Sequence, residues 1–407
     1  MTICRVAGIV AEYNPLHRGH AYHMEETKRL LGAEALVVAL SSDFLQRGEP
    51  ACVNKWTRTA MALSSGADLV LELPDLFSCH NASVFANAGV DILAATGVVT
   101  HLSFGMENPE VPLEPLADIL LQEPPHFKTE LRGFLDLGLS YAEATSRALK
   151  SALPSQEEGF PSLEKPNNIL ALGYIKRIRE RGYHLKTVRI CRKGGGYHDP
   201  NPQAFSSATA IRKLLFQGKI LQALELLPGS SGELLEEDLR RERCITSFDT
   251  LWRVFQGILL SRSLEELGSF AEIREGFENR ISRSMTESEN WEDFVEKCST
   301  KRYPRTRVQR HAAHILLGLD HWTNRAAQRL GPPYIRVLGF SSRGKELLRE
   351  MRTKATLPIV SKAAWKDQKS FAHQVMRYEH RCAALWEVLV PHSQKGREKM
   401  QRVMESP

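Results

Sequence analysis

The chain has 407 residues, a net charge of +6 and 42% hydrophobic residues, the composition of an ordinary folded protein with room for two or three domains. No apolar run approaches the roughly 20 residues of a membrane span, and no basic stretch followed by an apolar core opens the chain as a secretory signal does. Seven cysteines, scattered and without CxxC spacing, argue for reduced thiols in a cytoplasm and against a zinc site.

Residues 6–10 form a short apolar run that predicts a strand, broken at Asn14-Pro15 because the residue before a proline is pushed out of the helical region. A helix is expected over 20–31, stopped by Gly32. Strands follow at 34–40, 68–73 and 101–104, with helices at 57–65 and 83–95 between them. Strands alternating with helices predict a parallel, doubly wound sheet whose ligands sit at the carboxyl ends of the strands. Residues 106–165, rich in proline and polar residues, read as an insertion with helices at 116–121 and 141–149. A helix over 168–181, a fifth strand over 185–191 and a helix start at 206–212 complete the first domain, taken as residues 1–230. Gly229-Ser230-Ser231-Gly232 reads as its boundary. Residues 231–407 form a second domain, mainly helical, with helices at 247–261, 264–280, 289–297, 305–319, 321–330, 343–354 and 369–390 and short strands at 335–338 and 358–360.

The chemistry concentrates where the first strand meets the first helix. A helix N-terminus offers free N–H groups and a positive dipole end to a phosphate, and Gly19 lets it approach the backbone. His17 and His20, three apart, share a face of the first turn and suit charge stabilisation during displacement at phosphorus. A metal role for His17, His20 and His23 is disfavoured, since no carboxylate or cysteine cluster joins them. Arg192 and Lys193, ahead of three glycines, and Arg212, one turn into a serine-capped helix, bring cations to the same rim. The alternatives are a solvated loop and an ordinary helix cap.

Residues 15–20, Pro-Leu-His-Arg-Gly-His, resemble the HxGH signature of the nucleotidylyltransferase superfamily, and residues 206–212 resemble its second signature. With the blocks at 10–15, 44–51, 55–59, 104–108, 166–170, 194–199 and 336–340, the chain resembles the bacterial tRNA(Met) cytidine acetate ligases over most of its length. It departs from them at Ser42 and Asp43, where a glycine and a neutral residue are usual. The resemblance implies a Rossmann-like (HUP-type) α/β domain followed by a mostly helical basic one. It implies that acetate and ATP, with magnesium, give acetyl-adenylate and pyrophosphate, and that the acetyl group passes to the wobble cytidine of elongator tRNA(Met) as N4-acetylcytidine. His17 and His20 are then catalytic. ATP contacts are expected from Val10, Ala11, Glu12, Tyr13, Asn14, Pro15, Leu16, His17, Arg18, Gly19, His20, Ala21, Tyr22 and His23, with Gly105, Asn167, Asn168, Arg192, Ser207 and Arg212. Which of Asn167 and Asn168 points inward is left open.

Charge supplies a partner. Residues 301–407 hold 22 Lys and Arg against 8 Asp and Glu, while residues 1–300 are net acidic. A basic end beside an acidic remainder predicts a polyanion. Lys301, Arg302, Arg305 and Arg307, with Tyr303 available to stack on a base, are the expected RNA contacts, joined by Arg47 and Lys55 after the second strand. Arg58 reads as a helix-surface charge. Two other readings stand: a small-molecule nucleotidylyltransferase on the same fold, and an RNA-binding protein with a vestigial nucleotide site.

Overall fold

The computed structural model describes residues 5–152, 165–192, 206–362, 364, 367–392 and 396–406. Eight strands form one sheet: β1 (Val6–Ala11), β2 (Ala35–Ser41), β3 (Leu69–Leu73), β4 (His101–Met106), β5 (Lys186–Cys191), β6 (Ile335–Phe340), β7 (Ile359–Val360) and β8 (Met404–Glu405). The order is β5-β4-β1-β2-β3-β6-β7, with β8 also on β6. Strands β1 to β5 run parallel to one another. From β1 the chain winds outward through β2 and β3, then returns to place β4 on the other side of β1. That reversal opens a crevice at the carboxyl ends of β1 and β4, the switch point of a doubly wound sheet.

Alternation along β1 feeds two cores. Ala7, Ile9 and Ala11 face a cluster with Met24, Trp56, Ile211 and Leu215. Val6 and Val10 face the other, which runs through the helix Ala82–Ala95 into the C-terminal helices.

Most sequence-based elements are present, with differences that have identifiable causes. The first helix begins at Arg18, two residues early, because His17 caps it. The insertion holds a helix the reading missed, Pro125–Asp136, which buries only Phe127 fully and rests Leu131 and Phe134 on the core. The expected 264–280 helix is two pieces, Leu264–Gly268 and Phe277–Glu287, divided where Glu272 and Glu275 take positive φ. The Gly-Ser-Ser-Gly stretch is no linker: Pro228 precedes the helix Gly229–Arg240, which packs on the helix Lys55–Ser64. The C-terminal part also returns β6 to pair antiparallel with β3, so a cut at 230 divides a continuous sheet. Among the described residues Cys52, Cys79, Cys191, Cys244, Cys298 and Cys382 are unpaired, and no helix is long and apolar enough to cross a membrane.

Candidate nucleotide-binding active site

The turn after β1 is held from several sides. Tyr13 adopts a left-handed backbone (φ 48°), a conformation costing a non-glycine residue about 1 kcal/mol or more, and the Asn14–Pro15 peptide is cis. The Asn14 side-chain oxygen accepts the Cys52 N–H at 2.7 Å, and the Glu12 carboxylate accepts the Gln46 N–H at 2.7 Å. Burial raises the Glu12 pKa, and that N–H partly offsets it. Arg58, read from the sequence as surface charge, is wholly buried. Its guanidinium donates to the carbonyls of Glu12 (2.8 Å), Ser41 (2.8 Å), Val53 (3.1 Å) and Ser42, fastening the turn to the end of β2. Val10, Ala11 and Leu16 pack in the two cores, Pro15 is also buried, and Arg18 is exposed.

The two signature histidines form one unit. The His17 Nδ1 accepts the Gly19 N–H at 3.1 Å, and the His20 Nδ1 accepts the His17 N–H at 3.3 Å, a reciprocal cap in which imidazoles replace the usual hydroxyl and carboxylate. The rings stack with centroids 3.8 Å apart. Because each Nδ1 accepts, each neutral ring carries its proton on Nε2. Burial first, then the positive Arg192, pushes the His17 pKa down to about 4. Burial, then His17, Arg192 and His23, lowers that of His20. The pair is therefore neutral at pH 7 and offers two Nε2–H donors, neither with a partner among the described residues. His23 is different: its Nε2 is 3.0 Å from the Ser103 hydroxyl, which docks the helix on β4.

This arrangement makes acid unfolding partly a property of the site. Between the unfolded histidine value near 6.5 and the folded value near 4, only the unfolded chain takes up the proton, so stability falls as pH drops through that window. For His17 the full loss is about 3 kcal/mol, the equivalent of that shift. Melting midpoints measured from pH 7 to 4 should fall, and fall less in a His17→Asn/His20→Asn variant, whose amide oxygens can still accept the cap N–H groups without titrating. An unaltered slope in the variant would show that these rings do not carry the effect.

Across the crevice the cations are arranged by carbonyls and carboxylates. Arg212, in the helix Ala208–Phe216 capped by Ser207, donates to the Asn14 carbonyl at 2.9 Å and meets Glu49 at 3.4 Å. Glu49 in turn accepts from Gln309 at 2.8 Å. The sequence reading missed both partners, although Glu49 lies within a block it singled out. Gly48 (φ +84°) explains the fit here: a Cβ would stand 2.3 Å from the Arg310 backbone nitrogen. Arg192 leaves β5 beside Gly105, where a Cβ would sit 3.2 Å from its side chain, and reaches Asn167 at 3.4 Å. The two asparagines separate cleanly. Asn168 is buried and accepts the Glu107 N–H at 3.3 Å, while Asn167 stays at the rim, bonded to the Glu107 carboxylate and Arg192. Lys193 and the glycine-rich residues 194–199 lie outside the described residues.

Two imidazole donors, a helix N-terminus and two arginines thus converge on the carboxyl ends of β1, β4 and β5. The HIGH Nucleotidyl Transferase family model matches residues 4–402. The tRNA(Met) cytidine acetate ligase of Acetivibrio thermocellus is 37% identical over 365 residues, 88% of each chain. That of Fervidobacterium nodosum is 38% identical over 365 residues, 88% of this chain and 84% of its own. The crystal structure of Thermotoga maritima TmcAL bound with alpha-thio ATP superposes with a TM-score of 0.91 at 29% identity, over 99% of both chains. The chain belongs to the tRNA(Met) cytidine acetate ligase family.

Against that family frame, the expected RNA contacts divide. Arg47, Lys301, Arg302 and Arg305 are exposed. Arg302 is paired with Glu275 at 2.8 Å, and Arg305 with Glu292. Arg307 lies over the Tyr303 ring at 4.3 Å. Tyr303 is not available to a base: it is buried, stacked on Phe277 with centroids 4.2 Å apart. Lys55 is a plain correction. It is wholly buried, its ammonium 2.6 Å from Glu72, 2.9 Å from Glu398 and 3.7 Å from Asp43, so it presents nothing to an RNA. The departure at Asp43 has its reason here, since that carboxylate also accepts the Lys55 N–H at 2.9 Å.

Proposed function

We propose that this chain is an ATP-dependent ligase that activates acetate and acetylates tRNA. An acetate oxygen attacks the α-phosphorus of ATP; the bond to the β-phosphate bridging oxygen breaks, and pyrophosphate leaves. The N4 amine of the wobble cytidine of elongator tRNA(Met) then attacks the acetyl carbon, the carbon–oxygen bond to AMP breaks, and the amine loses a proton. The observation that carries the reading is the neutral His17–His20 pair with both Nε2–H groups free at a helix start. Such donors stabilise charge building on phosphate oxygens without adding a cation that would hold the ground state equally well. Arg212 and Arg192 suit the outgoing phosphates. Magnesium would arrive with ATP and be held largely by phosphate oxygens and water; no group of three or more His, Cys, Asp or Glu side chains suited to a metal stands together among the described residues. A cytoplasmic setting follows from the tRNA substrate.

Acetate-dependent exchange of labelled pyrophosphate into ATP, by the purified chain without tRNA, tests the first half. Exchange that requires acetate supports carboxylate activation. Exchange with acetate omitted would favour nucleotidyl transfer to another acceptor, and exchange that appears only with tRNA(Met) would mean the RNA completes the site.

A further inference from the structure

The basic run at 301–307, which the sequence marks as the RNA face, is largely occupied by Glu275, Glu292 and Tyr303. A different surface has the complementary properties. In the helix His321–Leu330, Trp322 is 74% exposed, although an indole is among the side chains most favourable to bury. Arg325 and Arg329, three and seven residues on, lie on the same helical face, are exposed, and have no carboxylate partner among the described residues. The helix itself carries no acidic residue.

This surface is rigidly mounted on the catalytic rim. Asp320 caps the helix by accepting the Trp322 and Thr323 N–H groups at 2.9 and 2.8 Å. On the opposite face Asn324 is buried and bonded to His80 at 2.9 Å. The helix packs against Asp75–Ser78, the segment directly after β3, at the same end of the sheet as the phosphate-binding turn. His321 meets the indole in a T-shaped contact, with centroids 5.5 Å apart, and the indole stays 74% exposed to a flat partner.

We infer that Trp322, with Arg325 and Arg329, is a stacking platform for an unpaired base of the RNA substrate, the indole taking the base and the guanidinium groups the adjoining phosphates. The inference rests on the proposed tRNA reading and adds the surface that reading leaves unassigned. Base–aromatic stacking and free arginines are how single-stranded nucleotides are gripped without sequence readout.

The test is tRNA(Met) binding by the full-length chain across a salt series, with acetate-dependent pyrophosphate exchange and melting temperature as controls. Trp322→Ala should weaken binding by roughly tenfold or more, while Trp322→Phe keeps most of the affinity. Arg325→Ala/Arg329→Ala should lower the slope of log affinity against log salt by about 1 to 2. Exchange and melting should match the wild type in all three. Variants that bind tRNA as the wild type does, with the same salt slope, would overturn the platform. So would a Trp322→Ala chain that keeps RNA affinity but loses a dimeric state, since the face would then belong to a second copy. A wild-type chain that binds no tRNA would instead refute the tRNA reading itself.

Discussion

Replacing His20 by alanine is expected to slow acetyl-adenylate formation by about 100- to 1,000-fold, the usual consequence of removing one preorganised donor from a developing oxyanion. The substitution removes two things at once. One is the Nε2–H; the other is the Nδ1 acceptor that caps the His17 N–H at 3.3 Å. His20→Asn separates them, because the amide oxygen can take the place of Nδ1 but no atom reaches the place of Nε2. It should melt close to the wild type and yet form adenylate almost as slowly as the alanine variant. Single-turnover formation of acetyl-adenylate, with the melting midpoint measured alongside, decides the matter. Adenylate formation within tenfold of wild type in His20→Asn would show that Nε2 gives nothing to the transition state. His17 should respond similarly, but with a larger structural share, since its Nδ1 caps the helix directly at Gly19.

The nucleotide turn was legible because its signals are local. An apolar run, a proline, a glycine and two histidines lie within fifteen residues, and each acts on the backbone beside it. Strands β1 and β2 were legible for the same reason, being buried on both faces and therefore apolar along almost their whole length. What local signals cannot carry is partnership across the chain. Nothing near Ile335–Phe340 says that it pairs antiparallel with β3, whose residues precede it by more than two hundred positions. Nothing near Glu49 says that it joins Arg212 to Gln309. Burial was misread at polar side chains. Arg58 looked like surface but is buried against four carbonyls, and Tyr303, expected to stack on a base, is buried against Phe277. A cation shows its burial only through its partners, and those of Lys55 lie as far off as Glu398. The open choice between Asn167 and Asn168 had the same origin, for both begin one helix and it is Glu107, just after β4, that distinguishes them.

Lys55→Ala should cost about 3–5 kcal/mol of stability, the usual loss when one partner of a buried ion pair is removed. The ammonium is the only cation shared by Glu72, Glu398 and Asp43 among the described residues, and all three carboxylates are buried. Arg336 compensates in part: it pairs with Glu72 at 3.2 Å and with Glu398, and together these cations hold the Glu72 carboxyl down to about 2 despite its burial. Without Lys55, one arginine must serve two carboxylates, and Asp43 keeps only Arg58, at 3.9 Å. Chains this size are commonly stable by about 5–15 kcal/mol, so the variant should unfold at clearly lower denaturant concentration. Lys55→Met/Glu72→Gln, which removes charge from both sides, should recover much of the loss, because an apolar or neutral replacement leaves no orphaned ion. The folded fraction of Lys55→Ala should still bind tRNA as the wild type does. Unchanged stability with lost tRNA affinity would put the residue back on the RNA face. Glu398→Gln extends the argument to the end of the chain. It weakens the link from the helix Arg397–Met400 to both Lys55 and Arg336, so it should lower stability in the same direction, and by less, since Glu72 still holds both cations.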